Sequence, residues 1–504
     1  MTIKAAREPD LSAKRAGFVY QVQAVDATKD LPFAAVFHEQ GLGKTKIGID
    51  LALYWLTRNV VDSVVIVTKR GLIQNWVDEL ALHAHVQPRL LSQDRRANFL
   101  AFNSPARIYL VHYEVLKSEK KRLKLFLKTR RVAVILDEAH KIKNPDSGLT
   151  QALFDLAPGF VRRVIMTGTP VANRPYDIWA QIFFLDEGVS LGNDFNSFKK
   201  DLDLANDLSR DAEKVGRFEE ALAGLFRRIQ QFSVRETKRA ADIRLPDKQL
   251  RNVMAELEPR QAEIYDRFRR DCAAIVVKNG IPEYDNAEEI LKRLLRLIQV
   301  ASNPKLVDDS YHAIPGKFPV LLNLVEELAD RNEKGIVWTT FTENADWLAH
   351  ELRQFNAVKV HGKMSYEDRG RSLKSFKTET DCRLLVATPA SAKEGLTLTV
   401  ANNAIFFDRS FSLDDYLQAQ DRIHRISQEK DCVVTNIVAS GTVDEWVDVL
   451  LAAKRLAAQL GQGDITREEY NSQATYAFGQ MVRDVLGLAG ATDAKQRNTS
   501  STGV

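Results

Sequence analysis

Short, nearly unbroken apolar runs alternate along this chain with longer stretches whose apolar residues recur every three or four positions. In the first half the runs are Ala34–Phe37, Ser63–Thr68, Arg107–Val111, Val132–Leu136 and Arg163–Thr167. In the second half they are Gly335–Thr340, Ala357–Val360, Arg383–Ala387, Asn403–Phe407 and Cys432–Val438. Rich in β-branched residues and mostly without in–out alternation, they predict parallel strands covered on both faces. Between them Thr45–Thr57, Gly71–Ala84 and Ala345–Gln354 read as amphipathic helices. Strand–helix alternation twice over predicts two α/β lobes, each on a parallel sheet.

The middle breaks this pattern. From Val189 to Val307 strand signal is scarce and helix-period segments dominate (Arg210–Arg228, Pro259–Lys278, Asn286–Val300), with a break at Leu245–Pro246. The expected division is a first lobe over 1–188, its helical protrusion over 189–245, a helical protrusion and linker of the second lobe over 246–312, the second lobe over 313–460, and a helical then polar tail over 461–504.

Composition narrows the classes. With 45% hydrophobic and 27% charged residues the chain is no collagen-like, disulfide-framework or mostly disordered protein. A formal net charge of +4 on 504 residues is close to neutral. A nucleic-acid site would therefore have to be a local basic surface. Cys272, Cys382 and Cys432 form no CxxC pair, which argues against a zinc finger and fits a reducing compartment. The apolar runs are strand-length, and the N-terminus MTIKAAREPD lacks the apolar core of a signal peptide. The expectation is a monomeric protein with no membrane partner, cytoplasmic and nucleoid-associated in a bacterium or phage-infected cell, or nuclear if eukaryotic.

Unusual residues follow the runs, where open parallel sheets bind ligands. After the first comes His38-Glu39-Gln40-Gly41-Leu42-Gly43-Lys44-Thr45. Gly41 and Gly43 let backbone N–H groups close around phosphate at a helix N-terminus, Lys44 would reach the β- and γ-phosphates, and Thr45 would ligate Mg²⁺. His38 stands where the P-loop pattern has its first glycine. The run Val132–Leu136 leads straight into Asp137-Glu138-Ala139-His140. There Asp137 is placed to hold Mg²⁺ and Glu138 to orient an attacking water. Met166-Thr167-Gly168-Thr169-Pro170 ends another run. In the second half, Arg422 and Arg425 stand three apart, which predicts one helix face. They are candidates for the cation that stabilises a γ-phosphoryl transition state.

With these residues the chain resembles the superfamily 2 helicase-type ATPases of the Swi/Snf type, from about Arg15 to Lys454. Phe18-Val19-Tyr20-Gln21 resembles the Q motif. Gly41–Thr45, Asp137–Asn144 (DEAHKIKN) and Thr167–Pro170 match motifs I, II and III, and Asn173 matches the asparagine that follows. Ser63–Trp76 resembles motif Ia with its Asn75-Trp76 pair, and His112-Tyr113-Glu114 resembles motif Ib with His in place of Ser. Val234-Arg235-Glu236-Thr237-Lys238 resembles the arginine-lysine element that closes the first protrusion. Trp338–Phe341 stands at motif IV, Glu394–Thr399 at motif V, and Gln418–Gln428 matches motif VI. Lys393, Thr397 and Ser427 depart from the family pattern, and none of these removes the Lys, Asp, Glu or Arg of hydrolysis.

The resemblance implies two RecA-like lobes of the P-loop NTPase class with α-helical insertions. It implies ATP and Mg²⁺ as ligands and an ATP-binding set of Gln21 (reading the adenine edge), Gly41, Leu42, Gly43, Lys44, Thr45 and Gln418. Lys44, Asp137, Glu138, Arg422 and Arg425 would be catalytic, with Thr45 and Asp137 on the Mg²⁺. Duplex DNA is the implied partner, its phosphates gripped by candidates Lys69, Arg70, Tyr113, Asn173, Thr340 and Thr388. The basic run Lys117–Arg131 reads first as a solvated helix face, and Trp76, Trp338 and Trp347 as core anchors. The implied activity is ATP-dependent translocation on double-stranded DNA. A strand-separating or annealing helicase, and a nucleotide-switched DNA-binding module with little turnover, stand as alternatives.

Overall fold

The computed structural model describes residues 9–104, 106–171, 174–202, 212–238, 240–241, 246–278, 281–282, 287–392, 398–425 and 428–473. They form two compact units. The first comprises Met1–Asp203, Ala221–Arg244 and Gly461–Asp464, and the second Leu204–Glu220, Leu245–Leu460 and Ile465–Val504.

The first unit is built on seven strands: β1 (Phe33–Val36), β2 (Ser63–Thr68), β3 (Arg89–Leu90), β4 (Ile108–His112), β5 (Val132–Asp137), β6 (Arg162–Met166) and β7 (Ser233–Val234). Their order is β3-β4-β2-β5-β6-β1-β7, and every pairing is parallel. The sequence explains this placement. Strands β2, β4 and β5 are buried at every position, so both faces need cover, and helices pack on them. Helix α2 (Lys44–Thr57) buries Ile47, Leu51, Trp55 and Leu56 in the same core as Val64, Ile66, Leu110 and Ile135 of the sheet.

The second unit holds β8 (Lys248–Ala255), a small antiparallel hairpin of β9 (Val277–Lys278) and β10 (Ile281–Pro282), then β11 (Gly335–Trp338), β12 (Val358–Val360), β13 (Leu384–Ala387), β14 (Asn403–Phe406) and β15 (Cys432–Ala439). Its main sheet runs β12-β13-β11-β14-β15-β8, again all parallel. Each of the ten predicted runs is a strand, with ends within two residues of those read from the pattern.

Strand β8 corrects the reading of 246–312 as helical. Residues 248–255 (KQLRNVMA) pair with β15 along its whole length. Five of the eight are solvent-exposed because β8 is an edge strand, so the apolar run that marks a central strand is missing. Side chains supply the register: Arg251 donates to Thr435 Oγ1 at 2.9 Å, and Asn436 donates to Asn252 Oδ1 at 2.8 Å. Among the described residues no helix is long and apolar enough to cross a membrane.

Candidate active site

Strand order brings the unusual residues of the first unit together. Strands β5, β6 and β1 are neighbours, so their carboxyl ends present Asp137-Glu138, Thr167-Gly168 and the His38–Thr45 loop side by side. The connection leaving β1 runs along the sheet toward β2 and that leaving its neighbour β6 runs the opposite way to β7, so this is the switch point at which such sheets bind ligands.

The loop after β1 is shaped by two left-handed glycines, Gly41 at φ +88° and Gly43 at φ +67°. Gly43 caps α2, and a Cβ there would collide with the amide nitrogen of Gln21. That amide donates to Leu42 O at 3.1 Å, while Gln21 Oε1 accepts from Phe18 N at 2.9 Å. Gln21 thus pins the loop to the start of helix α1 (Val19–Thr28). Lys44 Nζ donates to His38 O at 2.9 Å and Glu39 O at 3.2 Å, so its charge lies over the loop. Gly168 is a glycine for closeness. A Cβ there would stand 2.7 Å from Gln40 Cγ and 3.2 Å from Lys44 Nζ. The buried His38 ring has its pKa lowered to about 4 by burial first and by the Lys44 charge second, so it is neutral at pH 7.

The carboxylate of Asp137 is held from three sides. Oδ2 accepts from Trp76 Nε1 at 2.8 Å and Thr68 Oγ1 at 3.0 Å, and Oδ1 accepts from the Glu138 N–H at 3.0 Å. Burial, then the neighbouring Glu138 charge, push its pKa up to about 6 despite those donors and Lys44. The Lys44 charge does not offset burial of this carboxylate, and a hard cation would supply more positive charge. Among the described residues no group of three or more His, Cys, Asp or Glu could hold a metal ion. One carboxylate with the half-buried Thr45 hydroxyl, completed by phosphate oxygens and water, is how Mg²⁺ is usually held, and these residues fit it. Glu138 itself has φ +53°, a left-handed backbone that a glutamate adopts at an energetic cost. His140 Nδ1 lies 3.2 Å from Glu138 Oε2 and 3.3 Å from Thr167 Oγ1.

In the second unit a helix covers Leu413–Gln420 and stops there, which corrects the expectation that Arg422 and Arg425 share a helix face. The chain turns instead because segment 398–401 needs its bonds. Arg422 O accepts from Leu398 N at 3.0 Å, and Gln428 Nε2 donates to Ala401 O and Ile423 O, each at 2.9 Å. Arg422 is buried, and Arg425 Nε donates to Asp421 O at 2.9 Å. Gln418 is buried with its amide donating to Asp414 Oδ1 at 2.7 Å.

Residues 34–306, more than half of the chain, match the SNF2-related domain. The chain is an SNF2-related protein. Residues 316–427 match the helicase conserved C-terminal domain, so the expected family and the two parallel-sheet α/β lobes both stand. It is 27% identical to the ATP-dependent helicase MG018 of Mycoplasma genitalium and 26% identical to the putative ATP-dependent helicase/translocase YwqA of Bacillus subtilis, over 84% of this chain in each case. It spans 40% and 46% of those two proteins, less than half of either. The RAD54-like DNA repair and recombination protein of Mus musculus is 24% identical over 88% of this chain and 64% of its own length. Among solved structures, the SWI2/SNF2 ATPase core of Sulfolobus solfataricus in complex with double-stranded DNA aligns with 96% of this chain and 99% of that one, at 25% identity and a TM-score of 0.42.

The residues nominated in this SNF2-related chain for a nucleic-acid track divide. Lys69 and Arg70 follow β2 at the site's edge, Lys69 half-buried and Arg70 exposed. Tyr113 is corrected: it is fully buried and its hydroxyl donates to Asp137 O at 2.8 Å, which places it inside the unit as a support of the acidic pair. Thr388 is likewise buried at the end of β13, and the Thr340 N–H donates to the buried Asp408 carboxylate at 2.6 Å. Asn173, Lys393, Glu394–Thr397 and Ser427 lie outside the described residues. The basic run forms an amphipathic helix, Lys120–Thr129, with Leu123 and Phe126 buried. Lys120 pairs with Asp155, Arg122 with Glu119 and Arg131 with Asp62.

Two site residues escape the pattern. Trp76, read only as a core anchor, is also a donor to Asp137. Lys238, read only as part of a protrusion, comes to the glycine loop because β7 pairs with β1. Its N–H donates to Glu39 Oε2 at 2.8 Å, and its Cε lies 3.5 Å from where a Cβ on Gly41 would be.

Proposed function

We propose that the protein is an ATP-driven motor on double-stranded DNA, hydrolysing ATP to ADP and phosphate and moving along the duplex. The observation that carries the ATPase reading is the convergence of loop, acidic pair and Thr167-Gly168 at the carboxyl ends of adjacent strands. Backbone N–H groups around Gly41–Gly43 and the Lys44 ammonium hold the β- and γ-phosphates, with Lys238 as a second cation beside the loop. When bound with ATP, Mg²⁺ on Thr45 and Asp137 neutralises charge on the phosphate oxygens. Glu138 orients the water and takes its proton. The water oxygen bonds to the γ-phosphorus as the bond to the bridging oxygen breaks, and ADP leaves. Arg422 and Arg425 are expected to be needed for turnover as well.

The DNA reading rests on family membership, on the names of relatives concerned with DNA repair and translocation, and on exposed Arg70 beside the site. The test is ATPase rate against single-stranded DNA, duplex DNA, forked DNA and RNA at several salt concentrations, beside triplex displacement and strand displacement. Duplex stimulation that falls with salt, together with triplex displacement, is expected. Turnover indifferent to every polynucleotide overturns the motor reading. Replacing Lys44 by Ala or Glu138 by Gln should abolish turnover, and full activity in both would overturn the site.

A further inference from the structure

The bonding between β1 and β7 does not stop where the strands end. The N–H groups of Ala35, Phe37 and Glu39 donate to Phe232 O, Val234 O and Glu236 O, each at 2.8 Å, so the ladder runs on into the glycine loop. Arg235 adds a side-chain bond to it, its Nη1 donating to Phe37 O at 2.8 Å. The rest of the same guanidinium is taken by a carboxylate 229 residues further along the chain. Nε and Nη2 donate to the two oxygens of Asp464, Nε at 2.6 Å, and this two-point pairing fixes the guanidinium plane. The two side chains are only 13% and 19% exposed, so salt and water screen the pair weakly.

The turn that carries Asp464 is fitted to its place. Gly463 sits at φ +73°, a left-handed backbone that favours glycine. A Cβ on Gly463 would stand 2.9 Å from Phe226 Cδ1, and one on Gly461 would stand 2.8 Å from Leu222 Cδ1. Residues Gly461–Asp464 accordingly belong to the first unit. We infer that Asp464 is a positioning residue of the ATP site, acting through Arg235 on Lys238. With Asp464 in place, Arg235 holds Phe37 O and the ladder keeps its register as far as Glu39, whose side chain accepts from the Lys238 N–H at 2.8 Å. Without it the guanidinium is drawn into water, Phe37 O loses its donor, and segment 235–238 loosens and carries the Lys238 ammonium away from the loop. Lys238 holds phosphate in bound ATP and in the transition state alike, so losing its support raises KM and leaves kcat in place. The inference rests on the proposed ATPase and deepens it.

The test is titration of a fluorescent ATP analogue, with displacement by ATP and ADP, beside steady-state ATPase kinetics in wild type, Asp464→Asn, Lys238→Ala and the double variant. Asp464→Asn should weaken ATP about threefold to fivefold, no more than Lys238→Ala does, and should weaken ADP less. KM for ATP should rise by the same factor with kcat unchanged. The double variant should bind ATP no more weakly than Lys238→Ala alone, because both changes break one linkage. Unchanged ATP affinity in Asp464→Asn, an equal loss for ADP, a fall in kcat at constant KM, or losses that multiply in the double variant would overturn the inference while leaving the ATPase reading intact. A wild type that neither binds nor hydrolyses ATP would instead overturn the ATPase reading. Melting profiles identify a variant that does not fold. In that event Asp464→Ser, which also removes the two-point acceptor, carries the same expectations, and ATP affinity equal to wild type in it overturns the inference.

Discussion

Replacing Asp137 by Asn removes a charge that the fold of the first unit works against. Its carboxyl is pushed up to about 6, chiefly by burial and next by the charge of Glu138. In an unfolded chain an aspartate titrates near about 3.9. Below about pH 3.9 the group is protonated in both states and has no effect on stability. Between about 3.9 and 6 the folded protein keeps a proton that the unfolded chain releases, so stability falls as pH rises, and above about 6 the whole penalty stands. Two pH units at about 1.36 kcal/mol each make it about 3 kcal/mol at neutral pH. Asparagine keeps one carbonyl oxygen for Trp76 and Thr68 but turns its NH₂ toward the Glu138 N–H. That orphaned donor takes back about 1–2 kcal/mol. The nucleotide-free variant should therefore be more stable than wild type by about 1–2 kcal/mol at pH 7.5, or about 2–8 °C in melting temperature for a unit of this size. The gain should vanish near pH 4.5. Melting curves across pH 4.5–8 without nucleotide measure both values. A variant no more stable than wild type at pH 7.5, or a difference that does not change with pH, refutes the reasoning. Mg²⁺ and ATP should raise the melting temperature of wild type and leave that of the variant in place.

Three further outcomes follow from side chains described above. Gly43→Ala strains a residue at φ +67° and drives a methyl group into the Gln21 amide, so it should abolish binding of a fluorescent ATP analogue in direct titration. Lys238→Ala should weaken ATP about fivefold, the equivalent of about 1 kcal/mol, and ADP less, in displacement assays; equal ATP affinity would remove Lys238 from the phosphate site. In the second unit, fully buried Lys317 pairs with Asp444 and donates to Phe407 O at 3.0 Å. Lys317→Met leaves that carboxylate unpaired and should cost about 3–5 kcal/mol, read as early proteolysis of the second unit, with partial rescue by adding Asp444→Asn.

Most of the site was legible because its signals are local. A glycine loop, a helix start and an acidic pair at a strand end each occupy fewer than ten consecutive residues, and strand order then brings them together. What stayed hidden depends on pairings between distant segments. Lys238 reaches the loop only because β7 pairs with β1, and nothing in its own neighbourhood says so. The indole of Trp76 gave the signal of a core residue, correctly, yet its one polar atom decides its role. Tyr113 went the other way: a motif position suggested a phosphate contact, and full burial makes it a support. The spacing of Arg422 and Arg425 suggested a helix face, but the carbonyls of Ala401 and Ile423 take the Gln428 amide and the chain turns away.

Strand β8 has a consequence for how the chain is made. Arg251 meets Thr435 across 184 residues of sequence, so the second sheet cannot be closed until β15 has been synthesised. At about 5–20 residues per second on a ribosome, β8 waits about 10–40 s without its partner. A strand as apolar as β2 would be an invitation to aggregate for that interval. The polar, edge-type composition that hid β8 in the sequence, with Lys248, Arg251 and Asn252 among its residues, is what lets a nascent chain carry it that long in water.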